Sequence, residues 1–470
     1  MLSVSWHPSG FASTAASPVR IEVFNRIIGQ STRYIGTCEG NINFDPVDLS
    51  DLGINTYRLY GGMSRWETED DDSVYGMPTI DQIKQDPSII RWSHWDTVMT
   101  TPTAGSDYAS TGDPQYLWQG NARTLFESLK QNDILPVLSL RTVNPGQQPA
   151  WASALNPPRT PADWNEWWEH VFATVYWLNV RNDYRVDHFE IANEPNNPQQ
   201  GWQGSQEDYF DLVSVASDAI AHVYSTYLPD RTFHIHAPKT TGGSDWPRDT
   251  LASVPSEFNT VNIHNYSWDI TRYTRRVRGW MNRSALAAAP LWIGEWGTYT
   301  QGYNNLTFSL NLIKNMIHMS QPGDTYVYGS HLFSLYDWWG NDGGFEGLID
   351  AAGNRRLSYY AFRMGLRALQ GGRDILFTST DSADLTALVT QSDQATIFLL
   401  VVNDSAVPHL VDTQFPLTSD RAEITLWEFS EANSDTVIEQ SIAERGRGNT
   451  SVLSFQMPAL SSRLIKMVMR

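Results

Sequence analysis

The sequence predicts an α/β chain, a (β/α)8 TIM barrel carrying a C-terminal antiparallel β-sandwich, and three observations predict it. Short β-rich runs alternate with helical patterns through residues 34–370, the order expected of parallel strands joined by helices. Eight such runs can be counted, the number that closes a barrel. From Asp374 onward the pattern changes to short alternating runs divided by polar turns, with no helical period.

The candidate strands are 34–42, 55–60, 135–140, 186–192, 232–236, 260–265, 291–294 and 326–335. Between them lie helical patterns at 121–131, 161–180, 206–227, 271–288 and 306–320. The alternative, an open doubly wound sheet, would want a glycine-rich phosphate loop after the first strand, and none is present. The longest interruption, 61–119, follows the second strand and contains Trp66, Trp92, Trp95 and Trp118. A segment leaving the C-terminal end of a barrel strand belongs over the active face, as a substrate-shaping lid or a structural cover. The barrel is expected to occupy 34–370 and the sandwich 371–470, with Val19 to Val23 a candidate extra strand of the sandwich from residues 1–33.

A chain of 470 residues exceeds what one core usually organises, in keeping with two domains. The net charge of −19 repels polyanions, so neither nucleic acid nor an anionic membrane is an expected partner. Cys38 is the sole cysteine, which excludes an intrachain disulfide and a cysteine-based zinc cluster. Cytoplasmic residence and secretion with a signal peptide absent from this chain both fit, since Met1 to Pro18 shows no basic region followed by an apolar core. The 19 Trp and 20 Tyr suit stacking on sugar faces but serve large cores equally.

The chemistry rests on two carboxylates. Glu194 follows the fourth run in Phe189-Glu190-Ile191-Ala192-Asn193-Glu194-Pro195, and Glu295 follows the seventh in Trp292-Ile293-Gly294-Glu295-Trp296-Gly297. In a barrel both positions open onto the catalytic face, so two carboxyl groups converge on one pocket. Cleavage of a glycosidic bond uses such a pair: one acid protonates the leaving oxygen while the other carboxylate attacks the anomeric carbon. The acid must hold its proton near neutral pH, and the nucleophile must not. His234, His236 and the scattered acids lack catalytic-zinc spacing, so no metal and no cofactor is expected.

At these residues the chain resembles clan A of the glycoside hydrolases, in which an Asn-Glu-Pro motif ends strand four and the nucleophilic Glu ends strand seven. The resemblance implies that Asn193 bonds the sugar 2-hydroxyl, that Glu194 is the acid/base and that Glu295 is the nucleophile. Within the clan it is most similar to family 39, the β-xylosidase and α-L-iduronidase family, through Gly53 to Gly61 with Arg58, Val261 to Tyr266 with His264 and Tyr266, and Gly347 to Asp350 with Leu357 to Phe362. Family 5 is the second choice, since Gly294-Glu295-Trp296-Gly297 resembles it too. After strand eight the chain carries Tyr336-Asp337-Trp338-Trp339-Gly340-Asn341-Asp342, unlike the usual family 39 pattern.

Arg58 is expected beside Glu295, keeping it ionised, and Tyr266 is expected to hydrogen-bond it. His264 either contacts substrate or braces the acid, with a satisfied core histidine the bland alternative. Trp338 or Trp339 is a candidate platform under the sugar, and Trp296 a candidate contact. The cluster Arg272, Arg275, Arg276 and Arg278 reads as a solvated helix face. The expected activity is retaining hydrolysis of a β-linked neutral glycoside in an oligosaccharide or polysaccharide, exo or endo. A transglycosylase using the same two Glu and a non-catalytic carbohydrate-binding protein are the alternatives. Sugar, linkage and oligomeric state are not read from the sequence.

Overall fold

The computed structural model describes residues 17–38, 46–67, 78–101, 121–142, 155–200, 202–297, 302–337, 347–350, 352–416, 421–444 and 450–470. After a first strand, β1 (Val19–Gln30), come β2 (Tyr34–Cys38), β3 (Thr56–Tyr60), β4 (Leu135–Leu140), β5 (His188–Ile191), β6 (His234–Thr240), β7 (Thr260–Asn265), β8 (Leu291–Trp296) and β9 (Gly329–Leu332). Strands β2 to β9 pair in sequence order and close into a barrel whose ladders are parallel. Covered on both faces, these strands are buried along almost their whole length.

The strands lie where the eight runs were expected, although 39–42 of the first run lie outside the described residues and the last strand, expected over 326–335, spans only Gly329–Leu332. β6 runs on to Thr240 through Pro238, with a register shift between Pro238 and Thr240. The connecting helices start where capping chemistry allows. Thr160 and Ser205 each accept the backbone N–H three residues on, while Asp163 and Asp208 return the bond, satisfying donors the helix itself leaves open.

One layer of the barrel interior is built of imidazoles. His188 Nδ1 lies 3.0 Å from His236 Nε2, the His331 ring stacks on Trp292, and Thr56 Oγ1 lies 3.1 Å from His331 Nε2. Burial pushes His236 and His331 down to about 3, as it does His170 among the surrounding helices. Between their ordinary value of 6.5 and about 3, the unfolded chain takes up protons that the folded chain refuses, so stability falls as pH falls through that window. Each such histidine contributes a slope of at most about 1.4 kcal/mol per pH unit. Calorimetry is therefore expected to show the unfolding temperature dropping from about pH 7.5 to about pH 5, and an unchanged value would contradict it.

The remaining strands are β10 (Asp374–Thr380), β11 (Leu385–Asp393), β12 (Thr396–Asn403), β13 (His409–Pro416), β14 (Arg421–Phe429), β15 (Ser434–Glu444), β16 (Thr450–Met457) and β17 (Ser461–Met469). With β1 they form a nine-stranded sheet ordered β15-β14-β17-β12-β11-β10-β1-β13-β16, antiparallel apart from the parallel pair β1 and β13. Ile424 and Leu426 from near one end of that order share a core with Val411, Phe415 and Phe455 from the other. The sheet therefore folds over on itself and encloses its apolar face, as a sandwich does.

By contacts the chain divides into two compact units, one of described residues from Ile35–Thr300 and Gly329–Ala352, the other from Met1–Tyr34, Gln301–Tyr328 and Gly353–Arg470. In the second, Arg363 and Arg367 of helix Leu357–Leu369 both bind Asp435 in β15. No helix among the described residues is long and apolar enough to cross a membrane.

Candidate active site

The site lies at the C-terminal end of the barrel. Just past β5 the chain turns through two left-handed residues, Ala192 at φ 62° and Glu194 at φ 45°. The turn is held by the Ala192 N–H on the Leu140 carbonyl (2.7 Å) and the Glu194 N–H on the Lys239 carbonyl (3.1 Å). Glu295 sits within β8, where the register shifts against both β7 and β9. The residue before it must be glycine: a Cβ at Gly294 would come within 2.5 Å of Asn262 Oδ1 and 3.0 Å of Glu190 Oε1. That same Asn262 oxygen accepts the Gly294 N–H at 2.9 Å, fixing the backbone that carries Glu295.

Both carboxyl groups are buried, Glu194 3% and Glu295 4% exposed, and an oxygen of each lies within 4.8 Å of the other. Glu295 is gripped by four groups. Arg58 Nη1 (2.8 Å) and Tyr60 Oη (2.6 Å) donate to Oε1, Tyr266 Oη donates to Oε2 (2.6 Å), and His264 Nδ1 lies 3.3 Å from Oε2. His264 Nδ1 also shares a 2.7 Å hydrogen bond with Glu194 Oε1, and Asn197 Nδ2 donates to Glu194 Oε2 at 3.2 Å. His264 thus bridges the pair.

Arg58 is the centre of the arrangement. Its Nε donates to Glu190 Oε2 at 2.6 Å and its Nη2 to Asn193 Oδ1 at 3.0 Å, in addition to the Glu295 bond. Glu190 in turn meets Lys239 Nζ at 2.9 Å and accepts from Asn262 Nδ2 at 2.7 Å. Two anions and two cations are thereby buried together and neutralise one another, the condition under which buried charge is tolerated.

Burial alone would push the Glu295 carboxyl up, but His264, Arg58 and the hydroxyls of Tyr266 and Tyr60 outweigh it and bring it down to about 2. It is a carboxylate at any ordinary pH. For Glu190, Arg58 and Lys239 likewise overcome burial and hold the carboxyl well below the usual range. Burial, aided by Arg58, lowers the Lys239 ammonium from its ordinary value, and the Glu190 carboxylate opposes the shift. Glu194, His264 and Glu295 also offer the donor types a divalent cation takes, with ligand atoms mutually within 4.8 Å. Both oxygens of Glu295 are already engaged, however, and a guanidinium 2.8 Å away opposes a second cation there.

Of the residues singled out from sequence, Glu194, Glu295, Asn193, Arg58, His264 and Tyr266 come together in this one cluster. Trp338 and Trp339 lie outside the described residues. Trp296 is fully buried in β8. In the 61–119 segment, Trp66 packs edge-on against Phe126 and Trp95 against His170, both buried, while Trp118 lies outside the described residues. Arg276 binds Asp245 and the Gly243 carbonyl rather than the cluster. Sequence reasoning missed Tyr60, Glu190, Lys239 and Asn262. Their signal was available in part, since Tyr60 and Glu190 share inward parity with Arg58 and Ala192 on their strands.

No family model matches the sequence. A β-xylosidase of Caldicellulosiruptor saccharolyticus is 25% identical over 289 residues, which is 55% of this chain and 57% of the relative, so the match spans little more than half of that protein. Among solved structures, a glucosidase of Croceicoccus marinus superposes with a TM-score of 0.68 at 12% identity, covering 97% of this chain and all of that one. The GH39 enzyme of Xanthomonas axonopodis pv. citri superposes with a TM-score of 0.65 at 14% identity, covering 97% and 98%. By fold, and by one partial sequence match, the chain is similar to clan A glycoside hydrolases of the family 39 kind.

Proposed function

We propose that the chain is a retaining glycoside hydrolase that cleaves a β-linked neutral glycoside by double displacement, with Glu295 as nucleophile and Glu194 as acid/base. The observation that carries this reading is the asymmetry of two buried carboxyl groups within 4.8 Å. One is held ionised by Arg58, Tyr60 and Tyr266, and the other is bonded by His264 and Asn197 alone among the described residues. A pair this close leaves no room for water between carboxylate and anomeric carbon, as direct attack requires, whereas inverting pairs stand about 6.5–9.5 Å apart.

In the first step a Glu295 oxygen bonds the anomeric carbon, the glycosidic C–O bond breaks, and the Glu194 proton passes to the leaving oxygen. In the second, Glu194 takes a proton from water as its oxygen attacks the same carbon, releasing Glu295. Asn193, its Oδ1 held by Arg58, offers its amide hydrogens to the sugar 2-hydroxyl. The name of the sequence relative makes β-xylosides the first substrates to try, beside xylo-oligosaccharides and polysaccharide. Proton NMR of the first-formed sugar from an aryl β-glycoside tests the reading. The β-anomer is expected to appear first, and initial release of the α-anomer would exclude the covalent route.

A further inference from the structure

We propose that Lys239 is a positioning residue for the acid/base, clasping the Ala192–Asn196 turn to the end of β6 so that Glu194 meets the leaving oxygen. The proposal rests on the glycosidase reading above and adds to it a residue that touches neither substrate nor the reacting atoms.

The lysine is fully buried, and its ammonium has three partners: Ser139 Oγ at 2.5 Å, the Ala192 carbonyl at 2.8 Å and Glu190 Oε2 at 2.9 Å. An ammonium has three hydrogens, so none is left for a ligand. What it holds is the backbone two residues before Glu194. The grip is returned, because the Lys239 carbonyl accepts the Glu194 N–H at 3.1 Å.

A second reciprocal pair lies just beyond. Asn196 Nδ2 donates to the Thr241 carbonyl at 2.8 Å, and the Thr241 N–H donates to Asn196 Oδ1 at 3.0 Å. Four bonds thus stitch residues 192–196 to 239–241. The stitching meets a need that the backbone creates. Ala192, Glu194 and Lys239 are all left-handed, at φ 62°, 45° and 57°, a conformation that residues bearing a Cβ leave unless neighbours fix it. The Ser139 hydroxyl also donates to the Ala192 carbonyl at 3.2 Å, so the ends of β4 and β6 grip the same oxygen. Glu190 completes the link, placing Lys239 on the same carboxylate that orients Arg58.

A misplaced acid costs most where the leaving group most needs its proton. The test therefore compares kcat/KM over a series of aryl β-glycosides from dinitrophenyl to unsubstituted phenyl, for wild type, Lys239→Met and Asn196→Ala, with folding followed by circular dichroism. Lys239→Met keeps the stem and removes all three donors. It is expected to lose about 10-fold or less on the dinitrophenyl glycoside and about 100-fold or more on the phenyl glycoside. Asn196→Ala, at a half-buried position, is expected to show a smaller loss graded the same way. Equal fold-losses along the series overturn the proposal, in Asn196→Ala alone if Lys239→Met fails to fold. A wild-type chain that turns over no member of the series overturns the glycosidase reading and the proposal with it.

Discussion

Glu295→Gln is expected to abolish turnover of aryl β-glycosides, by at least about 10⁴-fold in kcat, because the amide cannot form the glycosyl ester. The surroundings sharpen the loss. Arg58, Tyr60 and Tyr266 all donate to this carboxylate, and an amide has one oxygen to offer them where the carboxylate has two and a charge. Glu194→Ala should behave differently. With a dinitrophenyl leaving group it is expected to keep its first step, to stall at the glycosyl-enzyme, and to be rescued by azide as the β-glycosyl azide. Steady-state and burst kinetics separate the two variants. Activity of Glu295→Gln within about 10-fold of wild type would remove Glu295 from the mechanism.

Arg58→Met is expected to lower stability by about 3–5 kcal/mol, the usual cost of breaking a buried ion pair from one side. A single guanidinium serves Glu190, Glu295 and Asn193, so its loss leaves two buried carboxylates short of a partner at once. Activity should change with pH in a defined sense. In the wild type Glu295, brought down to about 2, stays ionised well into acid; without Arg58 its carboxyl rises, and the acid limb of kcat/KM moves to higher pH. Arg58→Lys is expected to rescue little, because one ammonium cannot span three acceptors that a planar fork reaches. Chemical denaturation and a pH profile check both effects, and an unchanged denaturation midpoint would contradict the first.

Much of this site could be read from the chain because its chemistry is written locally. Glu194 sits in Asn193-Glu194-Pro195 and Glu295 in Gly294-Glu295-Trp296, each directly after or within a β-rich run, and strand alternation alone aims both at one face. Arg58 and Tyr266 were expected beside Glu295 because their segments resemble those of family 39. Lys239 was not, because the expected strand ended at His236, whereas β6 passes on through Pro238 and turns Lys239 inward at a register shift. Glu190 stood four residues before Glu194 and passed for an ordinary strand residue. Its meaning exists only once Arg58 from β3 and Lys239 from β6 are brought to it, which is a property of barrel closure and not of any local pattern. The ninth strand of the sheet was half legible: the alternation from Val19 to Val23 was visible, but nothing nearby showed that it would continue to Gln30 or choose β10 and β13 as neighbours.

That last pairing bears on how the chain is made. A ribosome releases β1 before any barrel strand, yet both strands that flank it lie far downstream, beginning at Asp374 and His409. At 5–20 residues per second, the roughly 340 residues between Gln30 and Asp374 impose a wait of about 20–70 s. All eight barrel strands emerge during that interval. Meanwhile β1 presents unpaired backbone and the apolar side chains of Phe24, Ile27 and Ile28, which remain exposed even in the finished fold. An open edge of this kind is a template for pairing between nascent chains. A strand made before the whole barrel is therefore satisfied only after it, and solubility during biosynthesis should respond to charge introduced at those three positions more than the stability of the finished protein does.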